Sequence, residues 1–347
     1  IDRIYQVTTE FHFDGTSYSK GVPPPTWKAV RDETSALSAT ICIEGYEKLM
    51  ALIDANGRPV KKFKEGPGAK LAYTTPEYFK IFDYQWQVGA PSSLKKPNTV
   101  VISEGMAKKY FGDDDPIGRI IKLENQLNLE VTGIVNSPPE NTDLPYEFFV
   151  SFATLENNRD FSYGGPDLDT WSGVNSGTYC FALLPEGFSA NQFQVQLDTI
   201  NNKYHGKDAK AYAHLAVKFS EMHHMERYDG PVPYKWIYIM ATLGLFLIAT
   251  ACFNFINMAT AQAMRRAKEV GIRKAVGGKR GQVFFQFISE TGVITLFALV
   301  IGFTLATLSL PYLNESLNLG GGWPSKVSWN DTTLWLFILG LFVTVVF

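Results

Sequence analysis

The chain has 347 residues, with 32 Lys plus Arg against 34 Asp plus Glu and a formal net charge of −2 at pH 7. That near balance conceals two opposite regions: residues 1–234 hold 23 basic and 30 acidic side chains, net −7, whereas 264–282 hold seven basic and one acidic, net +6. An acidic main region with one short basic cluster excludes a nucleic-acid-binding surface, and about 230 residues are too many for one minimal module.

Residues 2–13 read as a strand, with Ile4, Tyr5, Val7 and Phe11 among polar neighbours. The Pro-Pro-Pro turn at 23–25 leads into a helix with Thr26 as its expected N-cap and Trp27, Val30 and Leu37 as apolar positions. Residues 98–102 form a β-branched strand, after which Ser103 caps a short helix, EGMAKKYF, that Gly112 ends. DDDPIG is a turn; 119–123 and 127–135 alternate as the arms of a hairpin across 124–126, and Ser137-Pro-Pro closes this piece. Residues 178–184 are again a strand. Ser189 then starts a helix with Gln192 in the capping-box position, and Phe193, Leu197, Ile200 and Tyr204 give it one buried face. The expected fold is α+β: a split α/β domain over 1–75 and 146–232, with an inserted β-rich subdomain over 76–145.

Residues 236–264 contain no Asp, Glu, Lys or Arg, and neither do 291–314. A transmembrane helix needs about 20 mainly apolar residues, so spans are expected over 234–264 and 283–312. The block between them, MRRAKEVGIRKAVGGKRGQ, is rich in Lys and Arg, which holds a short loop on the cytoplasmic side. Everything before Tyr234 is then extracytoplasmic. The outer loop 313–331 is poor in basic residues, and 332–347 begin a further span. The chain starts without Met or signal peptide and stops inside a hydrophobic run. We therefore expect a parent protein with at least one span before Ile1 and a completed one after Phe347.

From Ala259, small residues recur every fourth position through Ala263, Ala267, Gly271 and Ala275, a ridge that permits close approach by another helix or domain. Gly277-Gly278 is expected to end that helix, with the next beginning near Gln282. A bent basic segment over 265–282 suits a coupling element, with Arg265, Arg266, Lys268, Glu269, Gly271, Arg273, Lys274, Gly277, Gly278, Lys279 and Arg280 as its candidate residues. The plainer account is a topogenic signal with no partner. Asn254 and Asn257 are intramembrane amides suited to hydrogen bonding across helices. Glu290, near the cytoplasmic edge of the next span, is expected to pair with the basic block. Ala298, Gly302 and Ala306 read as a helix-packing face.

No catalytic residue is expected, because five scattered histidines offer no Ser-His-Asp or Cys-His spacing. No metal site is expected either. His223-His224 lacks a third ligand and reads as a solvated loop, and Asp113–Asp115 read as a turn. G-x-x-x-x-G-K-[ST] is absent, so no cofactor is expected on this chain. Cys42 and Cys180 fall where a disulfide can persist, but two buried free thiols are the commoner outcome; Cys252 lies in a span.

The stretch NTVVISEGMAKKYFGDDDPIGRIIKLENQLNLEVTGIVNSPP resembles the extracytoplasmic core domain of the FtsX-like ABC-transporter permeases, the group that includes the MacB-type exporters. The stretch FNFINMATAQAMRRAKEVGIRKAVGGKRGQVFFQFISE is similar to the segment joining the second and third membrane helices of that family. FG…DPIG and EVGIRKAVGG are the specific parts. The resemblance implies a split porter-like outer domain, an α-helical transmembrane bundle and residence in the bacterial inner membrane as a multi-pass protein. It also implies a cytoplasmic ABC ATPase as partner, binding ATP and Mg²⁺, whose cycle moves the outer domain (mechanotransmission) to export or extract a substrate. A dimeric permease or internally duplicated chain, membrane lipids and an extracytoplasmic adaptor complete the expected partners. The competing class is a membrane-anchored receptor or regulator of cell-envelope enzymes.

Overall fold

Strands that carry apolar residues on both faces must be covered on both sides, and that requirement shapes the first 230 residues. The computed structural model describes residues 2–13, 15–53, 58–64, 69–139, 142–277, 280–316 and 332–346. The chain divides into two units, Ile1–Gly230 and Pro231–Phe347.

The first unit opens with β1 (Ile4–His12), β2 (Thr16–Ser19), α1 (Thr26–Glu33) and β3 (Ser38–Tyr46). The hairpin β4 (Leu49–Ile53) and β5 (Pro59–Lys64) follows, then β6 (Ala69–Thr74), the single turn α2 (Tyr78–Ile81) and β7 (Trp86–Val88). Next come β8 (Thr99–Ser103), α3 (Glu104–Phe111), β9 (Ile120–Leu123) and β10 (Leu127–Val135). After them lie β11 (Phe148–Ser151), α4 (Phe152–Asn157), β12 (Thr178–Leu183), α5 (Ala190–His205), β13 (Tyr212–Lys218) and α6 (Phe219–Met222).

Among the described residues thirteen strands form one sheet, ordered β13-β1-β12-β3-β6-β11-β8-β10-β9-β4-β5, with β2 added to β1 and β7 to β10. Strands from both ends of the unit thus lie side by side. The β4–β5 hairpin sits at the far end, where Met50 pairs with Leu123 of β9. Alternation splits the central strands between two cores. Ile41 and Ile43 enter one and Cys42 the other; Phe148 and Val150 oppose Phe149; Cys180 and Ala182 oppose Tyr179 and Phe181. Helices α1 and α5 close the first core through Trp27, Val30, Phe193, Leu197 and Ile200. Tyr78 and Phe79 of α2, with Leu144 and Tyr146, close the second. Burying one such large apolar side chain stabilises the fold by about 1.5–3 kcal/mol.

Both sheet edges are guarded. Gln194 of α5 donates to the His214 carbonyl (2.7 Å) and accepts from the Ala216 N–H (2.9 Å), occupying the outer groups of β13. At the other edge, β5 opens with Pro59 and carries Lys61, Lys62 and Lys64, which disfavours pairing with a further strand.

The local signals for α3 and α5 hold. Ser103 Oγ accepts from the Met106 N–H at 3.1 Å, and Gly112 follows α3 at φ 66°. Ser189 and Gln192 form the reciprocal capping box, and Tyr204 stacks on Trp171 with ring centroids 4.1 Å apart. The β9–β10 hairpin turns through Glu124 and Asn125, both at positive φ. Three expectations need correction. Thr26 is the first residue of α1 rather than its cap, Pro25 precedes it, and its hydroxyl is buried without a partner. Leu37 lies beyond the helix and is exposed, because α1 stops at Glu33, where the Thr34 hydroxyl donates back to the Val30 carbonyl at 2.6 Å. His223 is not in a solvated loop: it follows α6 with Nδ1 2.8 Å from Asp143 Oδ1 and is only about one-third exposed.

Cys42 and Cys180 lie on adjacent strands, yet Cys42 is opposite Tyr179 and Cys180 opposite Ile41. Alternation therefore sends the two thiols into opposite cores, and burial pushes both thiol pKa values up. Mass spectrometry of the unreduced, proteolysed protein should find no linked Cys42–Cys180 peptide; finding one would overturn this register.

His214 on β13 is wholly buried, and burial pushes its pKa down to about 3, with the neighbouring His205 ring (Nε2 to Nε2, 3.3 Å) adding to the depression. The unfolded chain protonates this imidazole near 6.5, whereas the folded chain resists until about 3. The stability held by the neutral ring is therefore complete above 6.5 and is lost as pH falls, at about 1.4 kcal/mol per pH unit. His214→Gln should flatten the fall in melting temperature between about pH 6.5 and about pH 5. An unchanged slope would assign the acid sensitivity elsewhere.

The second unit contains α7 (Tyr234–Ala275), α8 (Arg280–Ser316) and α9 (Thr332–Val346). Tyr234–Gln262 and Gly281–Tyr312 are long and apolar enough to cross a membrane; the apolar stretch Thr332–Val343 is shorter. Hydroxyls in these segments stay satisfied within their own helix: Thr242, Thr250, Thr260 and Thr304 each donate to the carbonyl four residues earlier. Against α9, α8 presents Gly292 to Phe342 and Phe303 to Trp335. Ala298, Gly302 and Ala306 are exposed on another face of α8, so the small-residue triad is not the surface that meets α9.

Candidate functional site: the turn between α7 and α8

No proline and only Gly271 interrupt strong helix formers between 262 and 275. Helix α7 therefore does not stop with its apolar part. It runs unbroken from Tyr234 through the basic block to Ala275, carrying the small-residue spacing from Ala259 to Ala275 on one helix that ends just before Gly277. At 1.5 Å per residue, residues 263–275 carry it roughly 20 Å beyond the apolar stretch. After the bond from the Val276 N–H to the Ile272 carbonyl (3.0 Å), Gly277 turns the chain at φ 96°, a conformation that a side chain would strain. Gly278 and Lys279 lie outside the described residues, and α8 begins at Arg280, two residues before the expected start.

Arg266 donates to Glu290 Oε2 at 2.9 Å, and its guanidinium lies 5.9 Å from the centroid of the Phe287 ring. This pair ties the basic end of α7 to the first turns of α8, and it joins Glu290 to the basic block. Lys268 and Gly271 are exposed, and a Cβ added at Gly271 would meet no atom within 4 Å. Ala259, Ala267 and Ala275 on the same ridge are also exposed. The side chains of Arg265, Glu269, Arg273, Lys274 and Arg280 lie outside the described residues. Asn254 and Asn257 are exposed and make no side-chain hydrogen bond among the described residues. The turn thus carries a helical extension rich in Lys and Arg, on which Ala259, Ala267, Gly271 and Ala275 are exposed. Which arginine would meet Glu290 was not legible in the sequence, since several lie within reach of the turn.

The family model described as MacB-like periplasmic core domain matches residues 1–200, and the one described as FtsX-like permease C-terminal matches residues 241–347. Over 235 residues the chain is 23% identical to YknZ, an uncharacterized ABC transporter permease of Bacillus subtilis, covering 66% of this chain and 52% of that one. Over 263 residues it is 23% identical to the macrolide export ATP-binding/permease protein MacB of Bdellovibrio bacteriovorus, covering 75% of this chain and 36% of that one. It spans about half or less of the length of these two relatives. The crystal structure of the periplasmic region of MacB from Actinobacillus actinomycetemcomitans is similar at a TM-score of 0.43 and 14% identity, covering 61% of this chain and 88% of that one. Two family matches, in this order and over most of its length, show that the chain belongs to the FtsX-like ABC-transporter permeases with a MacB-like periplasmic core domain.

Proposed function

We propose that this chain acts as the permease subunit of an ABC transporter, and that the α7–α8 turn is the seat of a cytoplasmic ATPase. ATP and Mg²⁺ belong to that partner; the residues of this chain transmit its movement. The observation that carries the reading is the continuity of α7 from Tyr234 through the basic block to Ala275. A push applied at the block travels along one helix without a hinge, towards a first residue that follows Gly230, the end of the first unit, after only three intervening positions. This is what mechanotransmission requires. On this reading the acidic first unit lies outside the inner membrane and moves to export or extract a substrate. Two copies, or an internally duplicated chain, would offer two turns to a pair of ATPases, and an extracytoplasmic adaptor would meet the first unit.

The test is co-expression with a Walker-motif ABC ATPase from the same genome, followed by solubilisation and affinity purification through this chain. The ATPase should be retained, with its hydrolysis rate altered by the permease. A permease that purifies intact without it would overturn the reading.

A further inference from the structure

The chain between β13 and α7 is clasped to the sheet along its length. Phe219 of α6 meets Phe82 and Phe181 edge to face, with centroids 5.4 and 5.5 Å away, and so packs against the second core. Met222 and Tyr228 are buried with Val217 of β13 as a small core of their own. The Tyr228 ring also meets Tyr18 of β2 edge to face at 5.7 Å, and the Arg227 guanidinium lies 5.4 Å from the Tyr18 centroid and 5.1 Å from that of Tyr228. On β1, the buried Thr8 hydroxyl donates to the Tyr228 hydroxyl at 2.9 Å. His223 Nδ1, 2.8 Å from Asp143 Oδ1, ties the same segment to the chain before β11.

Backbone closes the end of the clasp. Asp229 takes the left-handed conformation (φ 52°), and the Gly230 N–H donates to the Met225 carbonyl at 3.0 Å. A Cβ at Gly230 would lie 2.6 Å from the Met222 carbonyl oxygen and 2.8 Å from that of His223, so any side chain there must displace backbone. Past Gly230, only Pro231, Val232 and Pro233 precede Tyr234, the first residue of α7. Each proline fixes φ near about −65°, which makes this tether stiff where a Gly/Ser linker would be slack. Stiffness over so short a stretch suits a segment that passes on displacement.

We propose that residues 219–230 are the joint through which displacement of α7 enters the first unit, with Tyr228 and Gly230 as its positioning residues. The inference rests on the ATPase-driven movement proposed above and adds where that movement is received. Because β1 pairs with β12, β13 and β2, a displacement delivered at Tyr228 is shared among four strands instead of being lost in a loop.

The test uses the full chain with its co-purifying ATPase in lipid nanodiscs. A donor dye is placed on Asp114→Cys, an exposed position of the first unit, and an acceptor dye on the lipid headgroups. ATP with vanadate, which traps the ATPase in mid-cycle, should change the energy transfer in the otherwise wild-type chain. A Gly-Ser-Gly-Ser-Gly-Ser insert between Gly230 and Pro231 leaves every residue of the clasp in place; it should abolish the change while ATPase retention and hydrolysis persist. Tyr228→Ala should abolish the change as well, with the sheet intact by circular dichroism, since Tyr228 belongs to neither large core. Tyr228→Phe keeps the ring and should preserve the change. If Tyr228→Ala does not fold, the insert decides. No change in the otherwise wild-type chain would remove the proposed movement itself, and the joint with it. A change that survives the insert, or survives Tyr228→Ala in a folded first unit, would overturn the joint and leave the movement standing.

Discussion

Reversing Arg273 and Lys274 to Glu should abolish co-purification of the ATPase while leaving the permease inserted and folded. The two reversals lower the net charge of 264–282 from +6 to +2. Close charge pairs at an interface couple by about 1.5–7 kcal/mol, so turning two attractions into repulsions should weaken association by at least about 100-fold. Arg265, Arg266, Lys268, Lys279 and Arg280 remain, which is enough basic charge to keep a short loop in the cytoplasm. Gly271→Leu probes the same seat by bulk instead of charge. The chain has open space at that position, and Leu is a better helix former than Gly by roughly 0.8 kcal/mol, so α7 itself should be no worse for the change. Loss of the ATPase in this variant would place a partner surface against the small-residue ridge. If both variants keep full ATPase association and transport activity, the coupling role falls and the turn is a topogenic loop. A receptor or regulator of cell-envelope enzymes would show no shared dependence of this kind.

The second large effect is all-or-none. An impermeant thiol reagent applied to intact cells should label Asp114→Cys and Ser325→Cys, but not Lys279→Cys until the membrane is opened. Asp114 is exposed in the first unit, whereas Ser325 and Lys279 lie outside the described residues and are placed by charge alone. The native thiols give little background: Cys42 and Cys180 are fully buried, and Cys252 lies within the apolar part of α7. Labelling of Lys279→Cys with the membrane sealed would reverse the orientation and remove the ATPase seat from the cytoplasm. The expected contrast follows from the net of +6 in 264–282 against −7 in 1–234.

What could be read from residues alone was what acts over a few positions. Ser103 with Gly112, and Ser189 with Gln192, mark helix ends through hydrogen bonds made within one turn, and the structure forms both. The hairpin across 124–126 follows from alternation on either side of it, and the two longest apolar helices follow from uninterrupted hydropathy. Strand order was out of reach. Nothing in LMALI announces that β4, besides its hairpin partner β5, will pair with the distant β9, because such pairings are chosen by register and burial across the whole sheet. The cysteines show the same limit: the strand of Cys180 was legible, but only its pairing with β3 reveals that the neighbouring thiols face opposite cores. At the α7–α8 turn, charge and small-residue spacing named the candidate residues. The structure added the selection of Arg266 for Glu290, since that depends on how α8 returns beside α7.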